Sequence, residues 1–240
     1  MSDTNGPTPD ARQQRLNVPP PATRPRQGLP RWADLAIALA SLVVVSPILL
    51  AIAIAIRLES RGPVIYRQRR VGRDGVIFEM FKLRTMKRGA DPIGVGTAVF
   101  DDDPRVTRAG RLLRRFSLDE LPNLFNVLRG EMAIVGPRAT LPAQVELYTP
   151  RQRRRLELKP GVTGWAQIHG RTAIPWEERI ELDVWYVEHR SLALDLRILA
   201  RTPRVLFGGG GSAPDPYAGS PPESPLRQAA EREEAGGPRG

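Results

Sequence analysis

The 240-residue chain contains no cysteine. That excludes a disulfide framework, a thiol nucleophile and any cysteine-ligated metal, and it suits a reducing compartment. Histidine is almost as scarce: only His169 and His189 are present, too few for a multi-histidine metal centre. Aromatic residues make up 6% of the chain. A nucleic-acid binder of this charge would interleave basic residues with aromatic platforms or carry a known binding motif, and the sequence has neither. Acid is the minority charge. The 36 Lys and Arg outnumber 26 Asp and Glu, a net charge of +10, so a polyanionic partner is expected. Nucleic acid, an anionic membrane surface and phosphorylated substrates all satisfy that requirement.

The two ends lack a packable pattern. Residues 1–30 hold seven prolines and no apolar run of the kind a secretory signal needs, so they read as a disordered arm. Residues 208–240 are rich in Gly and Pro and read as a disordered tail. No internal repeat is present. The folded part is therefore expected between Arg31 and Phe207.

One long hydrophobic run stands out. Leu35 to Ile56 is 22 residues without a charge. At about 1.5 Å per residue it would reach roughly 33 Å, enough for a bilayer core of about 30 Å. Two features favour a different path. Ser46-Pro47 lies at its middle, where proline removes a backbone donor and kinks or breaks a helix. Both flanks are also basic: Arg24, Arg26 and Arg31 precede it, and Arg57, Arg61, Arg67, Arg69 and Arg70 follow. A spanning helix shows that bias on one side only. The expectation is a re-entrant segment over 31–57, bent at Ser46-Pro47, with both ends on the cytoplasmic face. The Ser46 hydroxyl is a local partner for a carbonyl freed at the bend.

Beyond Arg57 the composition changes. Pro63 to Tyr66 and Val76 to Phe78 read as short strands around the Arg73-Asp74-Gly75 turn. Lys82 and Arg84, two apart, would share a face if the second strand continues. Asp101-Asp102-Asp103, near Gly94 and Gly96, lacks metal-ligand spacing and reads as a solvated acidic loop. Arg108 to Leu128 is helical in pattern with an interruption near Ser117. There, Asp119 and Glu120 stand side by side. Ser117-x-x-Glu120 matches a capping box, and acids in a first turn complement the helix dipole, so local signals alone need no chemistry. Pro122 suits a helix that starts nearer Asp119. An apolar strand leads to Gly136-Pro137-Arg138, and Arg151 to Arg155 is an arginine-rich run. The segment Leu192 to Leu206 mixes leucines with Arg197, Arg201 and Arg204, as an interfacial helix does.

Several of these phrases together resemble one family. SPILL, VIYRQRRVG, FKLRTM, DPRVTRAGRLLRRFSLDELPNLFNVLRGEMAIVGPR, LKPGVTGWAQIHGR and ELDVWYVEHRSLALDLRIL are similar, in order, to the bacterial sugar transferases. These are monotopic phosphoglycosyl transferases acting on polyprenyl phosphate, and the likeness runs from about Arg31 to Phe207. It implies an α+β, helix-rich fold: a re-entrant membrane hairpin bent at Ser46 and Pro47, and a small cytoplasmic catalytic domain over 58–207 with short strands and interfacial amphipathic helices.

The resemblance also implies chemistry. A sugar-1-phosphate would move from a UDP-sugar to undecaprenyl phosphate at the cytoplasmic leaflet of the bacterial inner membrane, releasing UMP. Asp119 would attack the β-phosphate and form a covalent intermediate, and Glu120 would help hold Mg²⁺. Lys82, Arg84, Arg114 and Arg138 would bind phosphates. No nucleic-acid partner is implied, and a homodimer is admitted. A basic nucleic-acid binder or a catalytically inactive membrane scaffold are the alternatives; the presence of Asp119, Glu120, Lys82 and Arg138 weighs against the scaffold. The chain departs from the family's usual Pro-Arg-Pro at Pro137-Arg138-Ala139, which leads one to expect a less rigid backbone after Arg138. His169 replaces a frequent Asn, and a structural role is expected for it.

Overall fold

The computed structural model describes residues 15–16, 27–87, 103–169 and 174–207, together with 228 and 232. Most of the expected arm and tail, Gly94, Gly96, Asp101, Asp102 and the Gly170 to Ala173 stretch lie outside the described residues. The apolar run forms one helix, α1 (Arg31–Glu59), assigned continuously through Pro47. Proline denies the Val43 carbonyl its helical donor. The Ser46 hydroxyl donates to that same carbonyl at 2.9 Å, so the neighbouring side chain fills the gap.

Helix α1 has two unlike sides. Ala38, Leu42 and Ile56 are buried against the rest of the chain, whereas Val43, Val44 and Leu50 are 66%, 71% and 65% exposed. Both ends are fastened to the same body. Near the start, the Arg31 guanidinium donates to the Val127 carbonyl, and the Asp34 carboxylate accepts the Ile134 N–H at 2.9 Å. At the end, Glu59 accepts the N–H groups of Arg108 and Ala109 at 2.6 and 3.0 Å, and Arg84 donates to the Ser60 carbonyl at 2.8 Å. The helix therefore lies along the domain and presents an apolar side that is exposed among the described residues.

A β-hairpin follows. Strands β1 (Ile65–Val71) and β2 (Ile77–Leu83) pair antiparallel from Ile65↔Leu83 to Val71↔Ile77. Their turn places Asp74 and Gly75 at φ 57° and 77°, the left-handed region that these two residues tolerate. Strand β1 is longer than its apolar letters indicated, because polar side chains alternate within it. Tyr66, Gln68 and Arg70 share one face with Phe78, Met80 and Lys82, and Arg67 and Arg69 take the other. The outer edge of β2 is closed by a side chain: Asn126 accepts the Phe81 N–H at 3.1 Å and donates to the Glu79 carbonyl at 2.7 Å. Fully buried, Asn126 substitutes for a missing third strand.

Helices α2 (Arg108–Arg115) and α3 (Asn123–Arg129) flank a 3-10 turn at Leu118–Glu120. Strand β3 (Ala133–Val135) then pairs in parallel with β4 (Gly161–Thr163), across the short helices α4 (Pro142–Glu146) and α5 (Pro150–Arg153). The crossing is tight: a Cβ on Gly136 would lie 2.4 Å from the Lys159 carbonyl oxygen. Helices α6 (Trp165–Ile168), α7 (Trp176–His189) and α8 (Leu192–Phe207) complete the chain. The main core joins Ala38 and Leu42 to Phe78, Met80, Val127, Ile134, Tyr186 and Ile198. In α8, Ile198 and Asp195 face inward, where Asp195 accepts the Tyr186 hydroxyl at 2.6 Å, while Leu192, Leu196, Arg197, Arg201 and Arg204 are exposed. The outcome is the helix-rich α+β fold with small sheets that was expected.

Candidate active site

The adjacent acids owe their position to a broken helix. Thr107 caps α2 by accepting the Gly110 N–H at 2.9 Å, and the helix stops at Arg115. Ser117 then takes φ 54°, a left-handed conformation uncommon outside glycine. In that geometry its side chain makes no cap hydrogen bond. The expected capping box is therefore absent. Glu120 meets Ser117 through a backbone turn, Glu120 N–H to Ser117 carbonyl at 3.2 Å, and its carboxylate turns to Lys82 and Arg138. Pro122 sits at the N-cap of α3, where its missing N–H leaves no helical bond unmade; the α-helix begins at Asn123, and only a 3-10 turn lies at Asp119, where the start was expected.

Three elements converge on Glu120. Lys82, at the end of β2, places Nζ 2.9 Å from Oε1. Arg138, three residues beyond β3, brings Nη2 to 2.7 Å from Oε1 and Nη1 to 3.4 Å from Oε2. Burial alone would raise the Glu120 carboxyl; the charges of Arg138 and Lys82, with their hydrogen bonds, outweigh it and hold the group well below the usual carboxylate range. Asp119 is buried, at 9% exposure, where Glu120 is half-buried, and among the described residues no donor hydrogen-bonds to it. Burial pushes its carboxyl up; Lys82, Arg114 and Arg138 oppose this through charge, and Glu120 adds to it. One acid is thus tied and ionised, and its neighbour is held by field alone.

The remaining predicted cations divide. Arg114, in the last turn of α2, contributes its charge to Asp119. Arg84 is not brought to the carboxylates. Strand β2 ends at Leu83, and the Arg84 guanidinium turns to the end of α1, donating to the Ser60 hydroxyl and carbonyl at 2.8 Å and to the Arg61 carbonyl at 3.3 Å. Asp103 is buried rather than solvated, and its carboxylate accepts from the Arg105 guanidinium at 2.7 Å. His169 bonds the Trp165 carbonyl at 2.8 Å and packs its ring, tilted by 49°, against that indole, in keeping with a structural role.

A second layer holds Arg138, and sequence reasoning missed it. Asp183 of α7 and Arg155 form an ion pair with side chains 1% and 3% exposed. Asp183 accepts the Arg138 N–H at 3.2 Å, and Arg155 donates to the Arg138 carbonyl at 3.0 Å and to the Tyr148 hydroxyl at 2.7 Å. The next two carbonyls are fixed too: that of Ala139 accepts from Arg70 Nη1 at 3.2 Å, and that of Thr140 accepts the Val71 N–H at 2.9 Å. Ala139 is buried at 5% exposure. The backbone around Arg138 is thus clamped without the second proline, correcting the expectation of a looser loop. A readable signal existed: Asp183 lies among Ile180, Val184 and Val187, on the apolar face of its helix. Arg155, inside an arginine run, offered none.

Arg70 is the other omission. It lies on the Lys82 face of the hairpin, near Arg138 and Glu120; burial and then Arg138 lower its guanidinium to about 10. Among the described residues no group of three or more His, Asp or Glu could hold a metal. The donors here are two adjacent carboxylates. A hard cation such as Mg²⁺ accepts one or two of these when substrate phosphates supply further oxygens, so the donor set suits a shared site and not an all-protein cage.

Comparison with known proteins places the chain in a family. A family model described as bacterial sugar transferase matches residues 26–209. The chain belongs to the bacterial sugar transferase family. It is 47% identical over 183 residues to the uncharacterised sugar transferase EpsL of Bacillus subtilis (strain 168), covering 76% of this chain and 89% of that protein. It is 42% identical over 195 residues to the UDP-glucose:undecaprenyl-phosphate glucose-1-phosphate transferase of Caulobacter vibrioides, covering 75% and 73%. The corresponding Escherichia coli (strain K12) transferase is 44% identical over 184 residues, but there the match covers 72% of this chain and 39% of the relative.

Proposed function

We propose that the protein transfers a sugar-1-phosphate from a UDP-sugar to undecaprenyl phosphate, releasing UMP and leaving an undecaprenyl-diphosphate-sugar. The observation that carries the reading is the unequal treatment of two neighbouring acids: Glu120 is bound by Lys82 and Arg138, and Asp119 is buried beside them with no donor among the described residues. A tied carboxylate organises charge, and an untied one can attack.

In the first step an Asp119 carboxylate oxygen bonds to the β-phosphorus of the UDP-sugar. The bridging P–O bond breaks and its electron pair leaves with UMP. In the second, a phosphate oxygen of undecaprenyl phosphate attacks the same phosphorus and displaces the Asp119 carboxylate, forming the new diphosphate. A carboxylate meeting a diphosphate is repelled unless cations neutralise the phosphoryl oxygens, and Lys82, Arg114 and Arg138, gathered about the two acids, would do so. Glu120, with Asp119 adjacent, would hold Mg²⁺ against the substrate phosphates, and the ion would supply further charge neutralisation. Lys82 and Arg138 would then share Glu120 with it.

The setting is the cytoplasmic leaflet of the bacterial inner membrane. Support comes from α1, which is long and apolar enough to cross a membrane yet has both ends bonded to one domain. A helix so fastened belongs to a single leaflet; entering and returning would require a bend at Ser46-Pro47 beyond the continuous course of α1. The lipid substrate then meets Asp119 at the membrane surface. The test is UMP release from a panel of UDP-sugars with undecaprenyl phosphate in nanodiscs. At least one sugar is expected to support turnover that Asp119→Asn abolishes. UMP release by Asp119→Asn at the wild-type rate would refute the assignment.

A further inference from the structure

Arg70 carries a positive charge into the catalytic centre without a carboxylate of its own. Its Nε and Nη2 donate to the Gln68 side-chain oxygen at 3.1 and 2.7 Å, and its Nη1 donates to the Ala139 carbonyl at 3.2 Å. Both acceptors are neutral. The acid whose charge acts on it, Glu120, is already shared by Lys82 and Arg138. The second acceptor belongs to the residue after Arg138, so the Arg70 head rests on the main chain of the Arg138 loop.

Such an arrangement is unfavourable in the free protein. A part-buried guanidinium loses hydration, stands beside a like charge, and recovers only neutral hydrogen bonds. A guanidinium has five N–H donors, and those three bonds use three of them. The free donors belong to a rigid planar fork suited to two oxygens of one phosphate.

We propose that Arg70 binds the diphosphate of the nucleotide-sugar directly, forming a two-guanidinium clamp with Arg138, and that Gln68 is its positioning residue. The assignment rests on the phosphoglycosyl-transfer reading above. It separates Arg70 from the second-layer Arg155, whose charge is answered by Asp183 within the protein. Gln68 fixes the plane of the guanidinium through two bonds to one oxygen, so its removal acts only through Arg70.

The test uses full-length protein in nanodiscs carrying Asp119→Asn, so that ligand binds without turnover. UDP binding is measured by calorimetry and binding of uridine, which lacks phosphate, by ligand-observed NMR. Arg70→Met is expected to weaken UDP at least 10-fold and leave uridine within twofold. Arg70→Lys, which retains charge but not the fork, should fall between. Gln68→Leu should weaken UDP several-fold alone and add nothing to Arg70→Met. UDP affinity within twofold of the parent in both Arg70 variants would overturn the proposal. So would a parallel loss of uridine binding, which marks a folding role. Failure of the Asp119→Asn parent itself to bind UDP would instead sink the transferase reading, and this proposal with it.

Discussion

Replacing Asp183 with Asn probes the layer behind Arg138. The carboxylate is 1% exposed and faces an Arg155 guanidinium that is 3% exposed. Asn keeps the shape and one acceptor oxygen but removes the charge, leaving a guanidinium buried without a counter-ion. Breaking such a pair from one side costs about 3–5 kcal/mol. The Tyr148 hydroxyl and Arg138 carbonyl still accept from Arg155, so the lower end, about 3 kcal/mol, is expected. For a domain of this size each kcal/mol moves Tm by about 2–4 °C, so a fall of roughly 6–12 °C should be seen by differential scanning fluorimetry in detergent. Activity should fall further than stability explains, because the Arg138 N–H loses its charged acceptor. At a temperature where both proteins are folded, a drop in kcat/KM of about tenfold corresponds to roughly 1.4 kcal/mol of lost transition-state binding. The double replacement Arg155→Met with Asp183→Leu should melt above either single variant, since an apolar pair carries no unanswered charge. A Tm for Asp183→Asn within 2 °C of wild type, or a double variant as unstable as the summed singles, would refute the reasoning.

Other perturbations have defined outcomes. Asn126→Leu unpairs the Phe81 N–H and Glu79 carbonyl at the β2 edge; a loss of about 1–3 kcal/mol is expected, with faster amide exchange at Phe81 by mass spectrometry. Hydrogen bonds from Arg105 hold the Asp103 carboxyl below its ordinary value. A depressed carboxyl stabilises the fold above its unfolded pKa, about 3.9, and that stability is lost as pH falls through the lower folded value. The Tm gap between wild type and Asp103→Asn should therefore hold from about pH 7 to 5 and close below about pH 4. Excess chelator should abolish UMP release and added MgCl₂ should restore it; full activity in chelator would remove the ion from the reaction.

Much of this fold could be read from local pattern. The apolar run, the turn at Arg73 to Gly75, the interruption near Ser117 and the β3 strand each follow from spacing and turn chemistry that act over a few residues. Strand β1 was underestimated because Arg67, Gln68, Arg69 and Arg70 hide a two-residue alternation behind uniform polarity. For the site, the adjacency of Asp119 and Glu120 was visible but ambiguous. Capping and catalysis place the same letters together, and only the left-handed Ser117 separates them. Arg84 misled for the complementary reason: its spacing from Lys82 is right for a strand, and the strand ends one residue too soon. Asp183 and Arg155 meet across 28 residues, and no local signal reports which arginine in a run faces inward. Ala139 looked like a weakness because the proline it replaces acts locally, whereas the clamp that compensates is assembled from β1, α7 and the segment following α5.

The most direct measurement is UMP release in the absence of any lipid acceptor. Nucleophilic attack by Asp119 predicts a burst approaching one UMP per protein with a competent UDP-sugar, and a matching intact-mass increase of one sugar phosphate that maps to Asp119 and is discharged by undecaprenyl phosphate. UMP release that requires undecaprenyl phosphate from the outset, with no protein-bound phosphosugar at any time, would contradict it.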